Sequence, residues 1–513
     1  MKRLVIGLHL MAHGVAFGQG EWSLVLPLTE GIRVVTDAVE RPFGELSAVS
    51  VLYGSFNPPY TPYQADIASV SSAGSLITQH PFIMEDGWSI FVSDLEQLSG
   101  GDLVSVGTTW HQSTGTGAEV VVHPVYPDGP HPSGPHHTFG DSLGRIWDIA
   151  SVPDQDGGLF ITGSLFPPGS TAPSRLFLMR VSMEEGVLNS AVYGTGSVIR
   201  VGCDAVPGID GSILVSMDGS IPESPFGIAS ILRFSSDLEY LDGFPLTSLG
   251  GTGSVHPHDS IVRNDLHMTA LAADTLIVSG RFGNTFPDGL RTALVRLAPD
   301  GSFAGTFLPR SDYPHDFVGT RQGHEMNTDG KIVFAMVENF FPGPPTPELG
   351  TAPSRIHVYR LDTLLNVECE HIVDGFVDNA YYYLTRIKAA SDGGVLLMGS
   401  RRDLNTMGQP QGWLMKLGPD QCTPLGVEEQ AQLQRVEVFP NPGSDGFTLL
   451  LNGPAVHGAR LELFDALGAR VRSEAMNTNT IQVNTQDLAS GLYVYRVTGR
   501  DGRVLGSGRW VRE

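Results

Sequence analysis

Histidine placed beside proline and acid is the first chemistry this sequence offers. His80 (QHPF), His131, His136 and His137 (HPSGPHH), His256 and His258 with Asp259 (HPHDS), and His315 with Asp316 (YPHDF) fall in turn-rich stretches, outside the apolar runs. Neutral imidazoles and carboxylates gathered from several loops can ligate a transition metal, or act as acid and base on a bound sugar or peptide. No single stretch has the ligand spacing of a metal site, so such chemistry requires loops distant in sequence to converge. His256, His258, Asp259, His315 and Asp316 are the candidates for that centre. The plainer reading leaves them as polar loop residues facing water, and no metal, cofactor or catalytic residue is assigned.

Standard catalytic constellations are missing. There is no HExxH helix, phosphate-binding GxxxxGK[ST] or CxxC pair. Pro153 to Gly157 (PDQDG) resembles part of a calcium loop without its remaining ligands, and acid plus glycine is also what a tight turn selects. The turn reading is preferred.

The 513 residues carry a formal charge of -23, unevenly spread. Residues 435 to 513 hold 9 basic and 8 acidic side chains and residues 1 to 18 hold 2 basic ones, which leaves 21 basic against 47 acidic between them. Such a body repels phosphate backbones and anionic membrane surfaces, so nucleic acid is discounted as a partner. Lys2 and Arg3, an apolar run from Leu4 to Val15 and the small-x-small Ala16-Phe17-Gly18 read as a signal peptide over 1–18. Nothing later has the length of a transmembrane span, so the expected location is secreted or cell-surface, reached via the periplasm. Three cysteines, Cys203, Cys369 and Cys422, exclude a disulfide framework. A Cys369–Cys422 bridge is conceivable, and buried or incidental thiols are the preferred expectation.

Asp156 to Ser164 (DGGLFITGS) recurs in variants along the chain. Seven short apolar runs, starting at Ala48, Asp102, Gly158, Ser212, Thr275, Lys331 and Gly394, are spaced 54 to 63 residues apart. Each sits among candidate strands of similar length, four to a unit, which is the mark of a repeated supersecondary unit. The runs are rich in Val, Ile and Leu and often continuous, as in strands buried on both faces. Sheets of that kind stack radially, so the expected fold is all-β, a seven-bladed β-propeller over 19–424. Glycine provides the positive φ of each turn and aspartate caps it. The seventh unit lacks a fourth strand, and Trp22 to Leu28 (WSLVLPL) is spare at the other end. The N-terminal strand is therefore expected to complete the last blade. The unit order resembles secreted propellers with Kelch-like or delta-60-type repeats, a resemblance that implies fold only.

After a linker at 425–434, residues 435–513 form a distinct stretch. Val436 to Pro442 (VEVFPNP), Gly446-Phe447, Leu461 to Val471, Leu488 to Tyr493 (LASGLY) and Gly508 to Arg512 (GRWVR) resemble the type A C-terminal sorting domain of the type IX secretion system. The resemblance implies a small Ig-like β-sandwich read by outer-membrane secretion machinery, with Pro440, Asn441, Pro442, Gly491 and Tyr493 as sorting-motif residues. The chain ends in Arg512 and Glu513 without the lysine-rich end of related domains, so export is the firmer expectation than surface anchoring. Strand-length runs with turn signals every 8 to 12 residues fit such a sandwich independently.

Two functions remain open. The first is an exported binding or structural propeller with a glycan or protein ligand, and the alternative is a secreted hydrolase or lyase with its site in the channel mouth. Exposed aromatics ringed by amides favour binding, whereas clustered carboxylates or histidines with shifted pKa favour catalysis; the loop aromatics Tyr60, Tyr63, Trp110, Phe340, Phe341 and Tyr381 serve the first or pack locally against their prolines.

Overall fold

The computed structural model describes residues 21–513 apart from 28–30, 55–62, 114–118, 127–128, 131–144, 155, 167–174, 194–203, 209, 218–229, 246–265, 272–274, 283–290, 299–300, 310–315, 319–320, 340–351, 420–422, 425–434, 453–457, 466–468 and 500–503. The signal-peptide stretch lies outside these residues. The chain divides into two units, Met1–Thr423 and Pro424–Glu513.

The first unit is a seven-bladed propeller. Blades 1 to 7 begin with the strands Ile32–Glu40, Trp88–Gln97, Arg145–Pro153, Ala205–Pro207, His267–Ala270, the split pair Asp316–Val318 and His324–Met326, and Ala380–Ala389. Every pairing within a blade is antiparallel, and the seven runs picked out by the repeat are the second strands. Each first strand contacts the first strand of the next blade, and blade 7 contacts blade 1, so the first strands ring a common axis. Apolar side chains fill the space between neighbouring blades. Phe234 and Leu178 pack between blades 3 and 4, Phe334 and Ile277 between 5 and 6, and Leu414 and Ala38 between 7 and 1. This double-sided burial is why the strands read as continuous apolar runs.

The glycine-acid turns behave as expected. In blade 3 the Gly157 N–H donates to the Asp154 carbonyl (3.1 Å) and the Asp154 N–H to the Gly158 carbonyl (2.8 Å), with Gly157 at φ +85°. The turn's carboxylates then meet a cation on the third strand: Arg180 with Asp154 and Asp156 (2.6 Å each), and Lys416 with Asp392 (2.9 Å). Arg233 with Asp210 and Arg360 with Asp329 repeat the pattern. A guanidinium therefore occupies the oxygens that the calcium-loop alternative needed at Pro153 to Gly157.

The N-terminal strand Trp22–Val25 is the outer strand of blade 7, antiparallel to Gln411–Leu417. Blade 6 gains a strand of its own, Thr423–Pro424, beyond Val367–Asp374. Cys369 on Val367–Asp374 is disulfide-bonded, which corrects the expectation of incidental thiols. Cys203 and Cys422 lie outside the described residues.

The second unit is the expected small sandwich. Arg435–Phe439, Gly446–Asn452 and Thr480–Asn484 form one sheet, and Ala459–Phe464, Arg470–Met476, Gly491–Thr498 and Val504–Arg512 the other. Phe447 and Leu449 from the first sheet and Leu461, Tyr495 and Trp510 from the second share one core. Among the described residues no helix is long and apolar enough to cross a membrane.

Candidate functional site

Charged side chains gather where the first strands meet. The pairings of the first strands shift register at Val35/Asp37, Val92/Asp94 and Leu384/Arg386, each bulge lying immediately before a charged residue. A bulge re-aims the side chain that follows it. Asp37 and Asp94 are 0% and 1% exposed, and Arg386 bridges them: its Nη1 donates to Asp37 Oδ2 at 2.7 Å and its Nη2 donates to Asp94 Oδ1. Lys388, two residues on along the same strand, pairs with Asp37 Oδ1 at 2.9 Å.

The carboxylates also stitch each blade to its successor through backbone N–H groups. Leu95 donates to Asp37 (2.7 Å), Ser151 to Asp94 (3.0 Å), Met268 to Asp204 (2.6 Å) and Ala389 to Glu325 (2.7 Å). Blade 1 is thereby tied to 2, blade 2 to 3, blade 4 to 5 and blade 6 to 7. The Ser151 hydroxyl adds bonds to Asp94 (3.2 Å) and Glu96 (3.1 Å). Arg321 reaches in from the split strand of blade 6, donating to the Ile149 carbonyl at 3.2 Å with its guanidinium 5.0 Å from the Phe91 ring centre.

Electrostatics sort these groups into two kinds. Burial opposes the charge on Arg386 and Lys388, but the surrounding Asp37, Asp94 and Glu96 outweigh it and hold both cations firmly protonated. Glu96, Asp204 and Glu325 are half-buried along the axis, and burial raises their carboxyls to about 8, 7 and 7. The charges of Asp94 and Asp37 push Glu96 the same way, while Lys388 opposes. Carboxyls that exchange protons near neutrality are suited to general acid-base work.

The same shifts set a pH dependence of stability. Glu96, ordinarily near 4.5, keeps its proton in the folded chain up to about 8, whereas the unfolded chain has already released it. The stabilisation is full below about 4.5 and is lost as pH rises through 7 to 8, with Asp204 and Glu325 acting in the same sense. The melting temperature should therefore fall between about pH 6 and about pH 8, and Glu96→Gln should flatten the slope by roughly half. Differential scanning fluorimetry across that range checks both statements, and a slope unchanged in the variant would remove Glu96 from the account.

The histidine stretches meet the structure only in part. His80 lies half-buried on the outer strand of blade 1, Leu76–Pro81, opposite Ile67 and away from the axis. His131, His136, His137, His256, His258, Asp259 and His315 lie outside the described residues, and of Asp316 only the backbone, paired with Glu338, is described. Among the described residues no three His, Cys, Asp or Glu side chains stand where they could hold a metal ion. The aromatics need correction: Tyr63, Trp110 and Tyr381 are buried in interblade cores and offer no stacking surface. Tyr60, Phe340 and Phe341 lie outside the described residues.

Sequence reading missed the axial cluster. Its signal was an acid recurring in the first strand of successive units, at Asp37, Asp94, Asp148 and Asp204, and replaced by Arg386 in the seventh. One further histidine, His324, is fully buried with its Nδ1 2.8 Å from the Ser279 hydroxyl, and burial lowers its pKa to about 3. It is a neutral packing residue.

In the second unit the sorting-motif residues cluster. Asn441 bonds through its side chain to residues 509 and 511, the Trp510 indole donates to the Pro440 carbonyl, and Tyr493 donates to the Ala489 carbonyl while lying 5.9 Å from the Trp510 ring. Gly491 opens the strand that carries Tyr493.

Residues 437–505 match the family described as the secretion system C-terminal sorting domain. Ulvan lyase NLR42 of Nonlabens ulvanivorans is 34% identical over 85 residues, 16% of this chain and 15% of that protein. An endo-acting ulvan lyase of Formosa agariphila is 34% identical over 79 residues, 15% of each. The chain thus spans about 15% of the length of these curated relatives. Virginiamycin B lyase from Staphylococcus aureus, a solved structure, superposes with a TM-score of 0.42 at 11% identity, covering 77% of this chain and 99% of that one.

Proposed function

We propose that this exported propeller, carried by a type IX sorting domain to the cell surface or the medium, is a polysaccharide lyase whose reactive groups lie on the propeller axis. The observation that carries the reading is the trio Glu96, Asp204 and Glu325, raised into the neutral range beside Lys388 and Arg386. Elimination next to a uronate carboxylate needs three things. A base takes the proton α to the carboxylate, a cation stabilises the enolate that forms, and an acid protonates the oxygen that leaves as the C–O bond breaks and the C=C bond forms. Glu96, neutral at pH 7, is the proton donor in this reading, and Glu325 or Asp204 the base. Lys388 and Arg321 are the cations in this reading.

The names of the two ulvan lyases support elimination over hydrolysis, although the shared stretch has the size of the C-terminal unit and so speaks first for a shared export route. The acidic body repels a polyanion at long range, so cleavage should quicken as salt rises to about physiological strength.

A binding or structural role is the second reading. It is favoured by Asp37, Asp94 and Asp204, whose oxygens hydrogen-bond the backbone of the next blade, as a ring with only a scaffolding task requires.

The test is to incubate the full chain with a panel of uronate-containing polysaccharides and follow the ultraviolet absorbance of the unsaturated product. Turnover is expected, with Glu96→Gln reducing it by about 10²- to 10⁴-fold. Retention on a glycan array without product would select the binding reading. Neither product nor retention would remove polysaccharide from the account.

A further inference from the structure

The last strand, Val504–Arg512, is the edge of its sheet, paired on one side with Gly491–Thr498. Its other side should present a row of open N–H and C=O groups. From the Arg509 carbonyl to the Glu513 N–H those groups are taken. The Asn441 side-chain amide donates to the Arg509 carbonyl (2.9 Å) and accepts from the Val511 N–H (3.0 Å), as a peptide unit of a neighbouring strand would. Gly443 continues the row: its N–H donates to the Val511 carbonyl (3.0 Å) and its carbonyl accepts from the Glu513 N–H (3.1 Å). The Trp510 indole and the Arg512 guanidinium fasten the same segment from the strand's faces, at the Pro440 carbonyl (3.0 Å) and the Ser444 carbonyl (3.1 Å).

We propose that the FPNP segment is an edge clamp: Asn441 and Gly443 act as a surrogate strand that closes the open edge of the terminal strand against a second copy of this chain. The residue types follow from the task. Proline has no N–H to present at an edge, so Pro440 and Pro442 keep the segment from templating a strand of its own. Only a side-chain amide combines donor and acceptor in the geometry of a peptide unit. The alternation of surrogate and true backbone bonds covers residues 509, 511 and 513, the C-terminal half of the outward-facing positions.

The occupant held off is a second copy, because the outer face beside the edge carries apolar side chains, Val511 on the terminal strand and Leu492 and Val494 on Gly491–Thr498. Leu492, Val494 and Val511 are each more than a third exposed there, beside the edge. An open edge next to exposed apolar side chains is what pairs between identical chains.

The test uses the full chain and two readouts. In Asn441→Ala, amide hydrogen exchange at Val511 should rise about fivefold to tenfold, the cost of one lost backbone bond. Light scattering after size exclusion should then show association at lower concentration than for the unaltered chain. Asn441→Asp keeps the acceptor for Val511 but loses the donor to Arg509, and should fall between the two. Val497→Ala, a core truncation in the same sheet, controls for general destabilisation and should raise exchange throughout the unit without promoting association. Unchanged exchange at Val511 in Asn441→Ala overturns the clamp. Faster exchange in a chain that associates no more than the Val497→Ala control overturns its protective role.

Discussion

Arg386→Ala is expected to lower the stability of the propeller by about 3–5 kcal/mol, because it strands buried carboxylates without their counter-charge. Asp37 and Asp94 come from blades 1 and 2, and Arg386 from blade 7 lies between them. With the guanidinium gone, Asp37 keeps Lys388 and two backbone N–H groups, but among the described residues Asp94 keeps only Ser151. The variant therefore loses two charge-assisted bonds and leaves a wholly buried carboxylate facing Glu96. Arg386→Lys retains the charge but not the fork that reaches both aspartates, and should cost about half as much. Arg386→Met combined with Asp94→Asn removes one buried pair and leaves Asp37 with Lys388, and should recover most of the loss. Urea unfolding of the propeller, followed by its buried tryptophans, measures each variant. A loss below about 1 kcal/mol for Arg386→Ala would show that the ring does not depend on this staple.

The contrast between the staple and its neighbours explains what the site can do. Arg386 is held protonated by the carboxylates around it and bridges Asp37 and Asp94, so the three are framework. Glu96, Asp204 and Glu325 share the axis but lack a dedicated guanidinium, and burial leaves them poised between charged and neutral. One cluster thus contains both the strut and the groups free to exchange a proton.

How much of this was legible follows from the kind of signal each feature sends. The blades were readable because a turn and two-sided burial impose the same residues seven times: Gly157, Gly211, Gly330 and Gly393 all take the positive φ that the acid-glycine turn needs. The sorting domain was readable because FPNP and GRWVR meet physically, Asn441 on residues 509 and 511, and so are fixed together. The axial cluster was not readable, since its members change type from blade to blade. Asp37, Asp94 and Asp204 give way to Glu325 and then to Arg386, and only the sign reversal at the last blade reveals that the set is complementary. The aromatics misled for a related reason. Trp110 and Tyr381 stand beside turn-forming residues in sequence, yet their strands continue past those turns and carry them into the interblade core.

Removing the closing strand, residues 19–28, is expected to open the ring and drive the chain to aggregate. Trp22–Val25 pairs with residues 413–416, and Ser23 accepts from the Trp413 indole at 2.9 Å across a separation of 390 residues. Closing so long a loop costs about 5 kcal/mol of chain entropy, so the strand must return at least that much. Its means are visible. Leu26 is fully buried against Leu414 and Met398, and the Trp22 ring lies so close over Gly74 of blade 1 that a methyl group there would overlap it. Without the strand, Gln411–Leu417, which carries Trp413, becomes an open edge of the kind that pairs with other chains. Leu26→Ala, which keeps the strand but hollows its anchor, should cost about 2–5 kcal/mol and leave a monomer. The truncated chain should instead elute as oligomers, and a synthetic peptide of residues 19–30 supplied during refolding should restore the monomer by refilling the edge. A truncated chain that stays monomeric with an unchanged urea midpoint would mean that the axial charges and interblade cores hold the ring shut without a clasp.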